Sequence, residues 1–314
     1  ERIKEEGILD SRRLIREKNG LLIIPVTQGG NDWEDDVDFR DIKKAPYQTI
    51  KERIDLLLDL INDLPNRWEV IGDVLLLKLP NSLQEYKKKI GTIYSEVLNV
   101  DSVFIQKEIE GVKRKPIVEP IYGDKNETIH LENGIRYKLD VTKIMFSSGN
   151  IDERIRMGEI VKEGEKIIDM FAGIGYFTLP MAVYGNPEVI HSIEINPVAF
   201  SYLKENIELN DVKNIVNPWL GNNQDFSKSD TADRVVMGYL HENWKYLPKA
   251  SDFIKGKGTI HYHTNLKGPN HLTKVKKELK KGLNCRYRIK DIHKIKSYAP
   301  HIYHVVADIK INKN

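Results

Sequence analysis

Four short stretches of the sequence carry residue types at spacings that can do chemistry. In Asp169-Met170-Phe171-Ala172-Gly173-Ile174-Gly175 an apolar strand pattern runs into two glycines. Glycine lets the backbone turn tightly against a ligand, and a helix start beyond it offers unpaired N–H groups. A dinucleotide-binding turn asks for a third Gly or Ala where Thr178 stands, which counts against a pyrophosphate. Nineteen residues past Gly175, Glu194 ends a second strand pattern, at the distance where an acid accepts both hydroxyls of an adenosine ribose. A solvent-facing carboxylate is the ordinary alternative. After a third strand, Gly221-Asn222-Asn223 makes a turn whose amides suit an adenine edge, and a plain loop has the same composition. After a fourth comes Met237-Gly238-Tyr239-Leu240-His241. Tyr239 and His241 stand where an acceptor would enter, as candidates for holding or deprotonating it, with packing and capping as competing roles. His261 and His263 share a face of a strand, which invites a metal, but no third ligand clusters with them and no metal site is expected.

Elements must hold these residues together. From Ile135 onward, strand patterns at 166–169, 189–194, 214–219, 233–238, 258–263, 286–293 and 303–311 alternate with helices, the signature of a doubly wound, mainly parallel α/β sheet. No helix pattern separates the last two, so they are expected to pair antiparallel at the sheet edge. The ligand-reading turns then fall along the carboxyl edge of one sheet. Residues 132–314 are therefore read as the catalytic domain. Ahead of it stand a 1–45 appendage, with an apolar run at 21–26 and a turn cluster at 29–32, and a small α+β domain over 46–131. The latter combines an amphipathic helix from Thr49 to Leu64, a second at 82–98, and strands at 74–79, 102–109 and 117–121. It is expected to steady a nucleic acid or a lid.

Length and composition bound the class. A chain of 314 residues buries a full-sized core with a smaller companion. No apolar run approaches the roughly 20 residues of a membrane helix, and Glu1 to Glu6 do not resemble a secretory signal. The sequence starts at Glu1 rather than Met, which is compatible with a true N-terminus lying further upstream. The single cysteine, Cys285, excludes an internal disulfide and a cysteine metal site, and fits a reducing cytoplasmic setting. Charged residues make up 30% of the chain, which is compatible with a heat-adapted source. The net charge of +3 is unevenly spread: residues 267–296 hold eleven Lys or Arg against two acids. Such a run suits a phosphate backbone, with Lys267, Lys274, Lys277, Lys281, Arg286 and Arg288 as candidate contacts; a solvated lysine-rich face has the same count.

With these residues in view, the chain from about 66 onward resembles the tRNA wybutosine-synthesising transferases, relatives of the archaeal and eukaryotic tRNA guanine-N1 methyltransferases. Both groups share the Asp-x-x-Ala-Gly-x-Gly turn at 169–175 and a segment ending in Glu153-Arg154. Ser147-Ser148-Gly149-Asn150 is similar to the transferases' Ser-Pro-Gly-Asn, with Ser148 replacing Pro, where the methyltransferases carry Ser-Pro-Arg. Residues 173–180 match the transferase form, and 260–265 resemble its His-x-His-x-Asn strand. The Asn-Pro-Pro or Asn-Leu-Pro acceptor clamp of nitrogen methyltransferases is absent from 237–241. The family's Gly-Asp-Asn-Arg is here Gly221-Asn222-Asn223-Gln224, which removes charge from two positions and leaves Asn222 a hydrogen-bond acceptor.

The resemblance implies a class I S-adenosylmethionine-dependent, Rossmann-like fold, with S-adenosylmethionine as group donor held by Ser147, Arg154, Glu194, Asn222 and Asn223. Asp169, Gly173 and Gly175 of the turn complete the expected contacts. Arg154 is assigned the donor's carboxylate, with a surface salt bridge near Glu153 as the alternative. The implied reaction moves the 3-amino-3-carboxypropyl group to carbon 7 of 4-demethylwyosine, beside the anticodon of phenylalanine tRNA, and releases 5′-methylthioadenosine. No indispensable nucleophile is expected, because the donor carries the reactivity and placement selects the carbon attacked. Tyr176, Tyr239 and Trp244 are candidate stacking partners for a splayed base. Neither DNA nor a membrane is an expected partner. A tRNA guanine-N1 methyltransferase and a noncatalytic tRNA-binding module are the alternatives.

Overall fold

The computed structural model describes residues 16–18, 21–23, 46–55, 64–110 and 115–313. The turn cluster at 29–32 and the helix pattern beyond Asp55 lie outside them. The chain divides into two compact units. One holds residues up to Lys107 together with Val118–Lys125, and the other holds Glu108–Ile117 and Asn126–Asn314.

In the first unit, two short antiparallel strands, β1 (Arg16–Lys18) and β2 (Leu21–Ile23), precede helix α1 (Pro46–Asp55). A four-stranded sheet follows in the order β3 (Trp68–Ile71), β4 (Val74–Leu77), β5 (Ser102–Glu110), β6 (Lys115–Tyr122). Helix α2 (Lys87–Leu98) crosses between the parallel strands β4 and β5. Its Ile90, Ile93 and Tyr94 recur at helical spacing and bury against Ile50, Leu75, Leu77 and Val103. The helix stops at Asn99, whose left-handed φ of 53° closes it with a backbone bond to Ser95.

The second unit opens with a hairpin, β7 (Glu127–Glu132) and β8 (Ile135–Asp140), turned by Asn133-Gly134, both at positive φ as a tight two-residue turn requires. A 3₁₀ turn at Ser148–Asn150 leads into α3 (Ile151–Ile160). The chain then alternates β9 (Lys166–Asp169), α4 (Thr178–Gly185), β10 (Val189–Glu194), α5 (Pro197–Leu209), β11 (Val216–Leu220), β12 (Ala232–Met237), α6 (Leu247–Phe253), β13 (Ile254–Lys267) and α7 (His271–Gly282). It closes with β14 (Arg286–Ala299) and β15 (Ile302–Asn312). The strand order is β11-β10-β9-β12-β13-β15-β14. The first five are parallel, and the closing pair is antiparallel as the missing helix implied.

β9 begins and ends where its sequence pattern does, and so does β10. β13 starts four residues before its expected beginning, because Gly256 at φ 59° carries the strand through an irregularity in its pairing with β12. Ile168, Val235, Ile260, Tyr262 and Val305 sit in the core on this sheet. Sequence order reverses between β9 and β12, which opens a crevice at their carboxyl ends.

Candidate functional site

A cavity of about 290 Å³ lies at that crevice, near the lower end of the range typical of small-molecule sites. Its foundation is the turn after β9. Gly173 adopts φ 58°, and a side chain there would meet the Tyr176 ring at 2.6 Å. Its N–H points across to β10 and donates to Glu194 Oε2 at 2.8 Å, while Asn196 N–H donates to Oε1 at 2.6 Å. Glu194 thus lines the cavity with its carboxylate fixed by backbone donors. Burial raises its pKa, and the backbone N–H groups of Asn196, Gly173 and Ile195 oppose that rise.

Asp169 and Gly175 do not contact the cavity, contrary to their expected role. Asp169 is fully buried and accepts from Thr178 Oγ1 at 2.8 Å, tying the turn to the start of α4. Gly175, at φ 103°, gives room to Leu179 and Leu203, so it serves packing. Burial pushes the Asp169 carboxyl up to about 6. The folded protein therefore holds this proton more tightly than an unfolded chain, and the site's stability contribution is full below about pH 4 and lost as pH rises through 6. Asp169→Asn keeps an acceptor without the charge. Its denaturation midpoint relative to the parent is expected to improve between pH 4 and 7; a constant difference would refute the assignment.

On the third strand end, Asn222 is exposed at the rim and Asn223 is 5% exposed, its Nδ2 donating to Met170 O at 3.2 Å. Both line the cavity. After β12, Gly238, Tyr239 and Leu240 form the wall. Tyr239 stacks on Phe171 at 5.2 Å with rings 20° apart, and Tyr246 meets Phe171 edge-on. Phe171 and Tyr246 were not singled out in the sequence, though aromatics flanking a glycine turn are the available signal. His241 is exposed and off the lining, with its ring 5.8 Å from that of Tyr239 and steeply inclined to it. Trp244 is off the lining as well and lies under Lys281.

The fourth side comes from the segment before α3. Ser147 lines the cavity and accepts from Lys296 Nζ. Arg154 is 2% exposed, forks onto Glu132 of β7 through Nε and Nη2, and donates from Nη1 to Ser147 O at 3.0 Å. Its guanidinium is therefore engaged in a buried pair rather than a surface one, and it fixes the carbonyl beside the cavity. Glu132 had no sequence signal beyond the Asn133-Gly134 hairpin next to it.

His261 and His263 take different side-chain partners. His261 is held between Asp308 Oδ1 at 2.7 Å and Arg234 Nη1 at 2.6 Å, whereas His263 lines the cavity floor. Among the described residues no group of three metal-binding side chains is assembled.

The basic run is divided by the closing hairpin. Arg286 and Arg288 pair with Asn312 and Lys310, level with Lys257 and Thr259 at the amino end of β13. Lys296 pairs with His304, level with Asn265 at the carboxyl end. The two groups are roughly 20–25 Å apart at about 3.3 Å per residue. Lys267 ends β13 at the carboxyl edge of the sheet, and Lys274 Nζ lies near Gly268 beside it. β14 is also the outer strand of the sheet, where lysines discourage edge pairing.

A glycine turn, an acid and an amide turn at three adjacent strand ends define a class I S-adenosylmethionine-dependent enzyme. Residues 128–290 match the TRM5/TYW2 methyltransferase domain, and 50–127 match the TYW2 N-terminal domain. The tRNA(Phe) (4-demethylwyosine(37)-C(7)) aminocarboxypropyltransferase of Pyrococcus horikoshii is 42% identical over 85% of this chain and 99% of its own length. The crystal structure of P. horikoshii TYW2 in complex with MeSAdo has a TM-score of 0.76 at 40% identity, covering 85% of this chain and 100% of that one. That of M. jannaschii TYW2 in complex with AdoMet has 0.62 at 38%, covering 79% and 100%. The tRNA (guanine(37)-N(1))-methyltransferase Trm5b of Pyrococcus abyssi is 34% identical over 99% of this chain and 94% of its own length. The chain belongs to the TYW2 family.

Proposed function

We propose that this enzyme transfers the 3-amino-3-carboxypropyl group of S-adenosylmethionine to carbon 7 of 4-demethylwyosine in phenylalanine tRNA, beside the anticodon, and releases 5′-methylthioadenosine. The observation that carries this reading over methylation of a ring nitrogen is the wall after β12. Gly238, Tyr239 and Leu240 stand there with no side-chain amide to grip an acceptor nitrogen, and a side chain on Gly238 would meet the Phe177 ring at 3.0 Å. An aromatic wall of Phe171 and Tyr239 suits a flat base drawn out of its stack.

The donor, when bound, supplies an electrophilic carbon beside a sulfonium. Glu194 accepts from the ribose hydroxyls, the turn at Gly173 admits the nucleoside, and Asn222 and Asn223 face the adenine. Arg154 acts through Ser147, whose carbonyl it holds. The reaction belongs in the cytoplasm; no helix among the described residues is long and apolar enough to cross a membrane.

The test is incubation with S-adenosylmethionine and tRNA carrying the tricyclic precursor or unmodified guanosine, followed by mass spectrometry. 5′-Methylthioadenosine with a gain of one aminocarboxypropyl group supports the proposal; S-adenosylhomocysteine with methylated guanosine overturns it.

The RNA backbone is assigned to the carboxyl edge of the sheet, at Lys267 and Lys274, and away from Arg286 and Arg288. Removing both lysines is expected to weaken tRNA binding and shallow the slope of log affinity against log salt by about 0.9 per lost phosphate contact. Removing both arginines should leave the slope in place, and the reverse pattern would move the footprint to the opposite edge.

A further inference from the structure

One polar cluster on the cavity floor has no task in the account above. His263 of β13 and Asn150 of the 3₁₀ turn before α3 both line the cavity. His263 is 1% exposed, and its Nδ1 lies 3.0 Å from Nε2 of His304 on β15. Its other nitrogen, Nε2, is buried without a hydrogen-bond partner, and Glu153 Oε1, at 3.9 Å, is too distant to be one. Oδ1 of Asn150 is likewise buried and unpartnered. A buried polar atom left unmade costs about 1–3 kcal/mol, so two such atoms on residues that line the same cavity point to a ligand group that satisfies both.

The chemistry of that group follows from theirs. Asn150 Oδ1 only accepts. Burial beside His304, His261 and Arg156 keeps His263 neutral, its pKa well below the usual histidine value. In the tautomer that donates Nδ1–H to His304 Nε2, Nε2 offers a lone pair. Two acceptors call for a group that carries only donors, and on S-adenosylmethionine that description fits the α-ammonium of the amino acid chain. We infer that Asn150 Oδ1 and His263 Nε2 accept hydrogen bonds from this ammonium and so fix the chain that is transferred; the inference rests on the cavity being the donor site. A tethered chain loses its freedom to swing, and its γ-carbon is held in one place for attack.

Titration calorimetry with three ligands tests this. S-adenosylmethionine has the ammonium and the carboxylate, its decarboxylated form has only the amine, and 5′-methylthioadenosine has neither. His263→Phe is expected to weaken the first two by about tenfold or more and to leave the third unchanged. Asn150→Leu should do the same, and answers the question if replacing the buried histidine unfolds the protein. His263→Gln, whose amide oxygen accepts, should retain most of the affinity. Unchanged binding of S-adenosylmethionine in both Phe and Leu variants, or an equal fall for all three ligands, overturns the assignment. Failure of the unaltered protein to bind 5′-methylthioadenosine would remove the donor-site reading, and this inference with it.

Discussion

Glu194→Ala is expected to lower affinity for S-adenosylmethionine by about a hundredfold or more. A charged acceptor contributes about 1.5–3 kcal/mol per hydrogen bond, two ribose hydroxyls are available to it, and each 1.4 kcal/mol is a factor of ten. The substitution also releases the Gly173 and Asn196 N–H groups, which the two carboxylate oxygens pin at 2.8 and 2.6 Å. Both losses act on the same face of the cavity, so they compound. Glu194→Gln keeps one acceptor and should fall between the two. Isothermal titration measures the effect, with circular dichroism confirming that the sheet is intact. Affinity within threefold of the parent would mean that the ribose lies elsewhere, and the nucleoside reading would fail.

Arg154→Met is the second large effect, and it falls on stability. Arg154 and Glu132 are both almost wholly buried, and removing the guanidinium strands a carboxylate among apolar neighbours such as Phe146. Breaking a buried pair on one side costs about 3–5 kcal/mol, whereas replacing both partners with apolar groups of similar size is close to neutral. The double variant Arg154→Met with Glu132→Leu is therefore expected to recover most of the loss in urea unfolding. Equal stability of the single variant and the parent would show that the pair does not hold the 147–154 segment. Donor affinity adds a second readout, because Ser147 O loses its 3.0 Å donor in both variants.

Much of this architecture was legible because its signals are local. Apolar runs capped by turns delimited β9 and β10, and the absence of a helix pattern between the last two strands foretold their antiparallel pairing. Two residues singled out from motifs, Gly173 and Glu194, line the cavity. Two others from the same motif, Asp169 and Gly175, do not line it, because the motif mixes contact with support. Asp169 and Gly175 recur in such turns because the turn needs a buried tie to Thr178 and space for Leu179, and a sequence pattern does not distinguish these from ligand contacts. Partners far apart in the chain were not foreseen. Glu132 reaches Arg154 across 22 residues and His304 reaches His263 across 41, distances at which no periodicity operates. Charge counting is blind to placement for a related reason: the basic run at 267–296 is one stretch in sequence, yet the extended strand over 286–299 carries its two ends to opposite edges of the sheet.

That same extended hairpin supplies a spectroscopic ruler. Cys285 is the chain's single cysteine, half-buried beside Ser251 at the residue before β14 begins, on the edge remote from the cavity. A thiol-reactive fluorophore attached there would stand roughly 20–30 Å from a base lodged in the site, by the rise of the intervening strand. Paired with a second dye on the RNA, it would follow docking of the substrate in real time from a single point on a rigid sheet, without the removal of competing thiols.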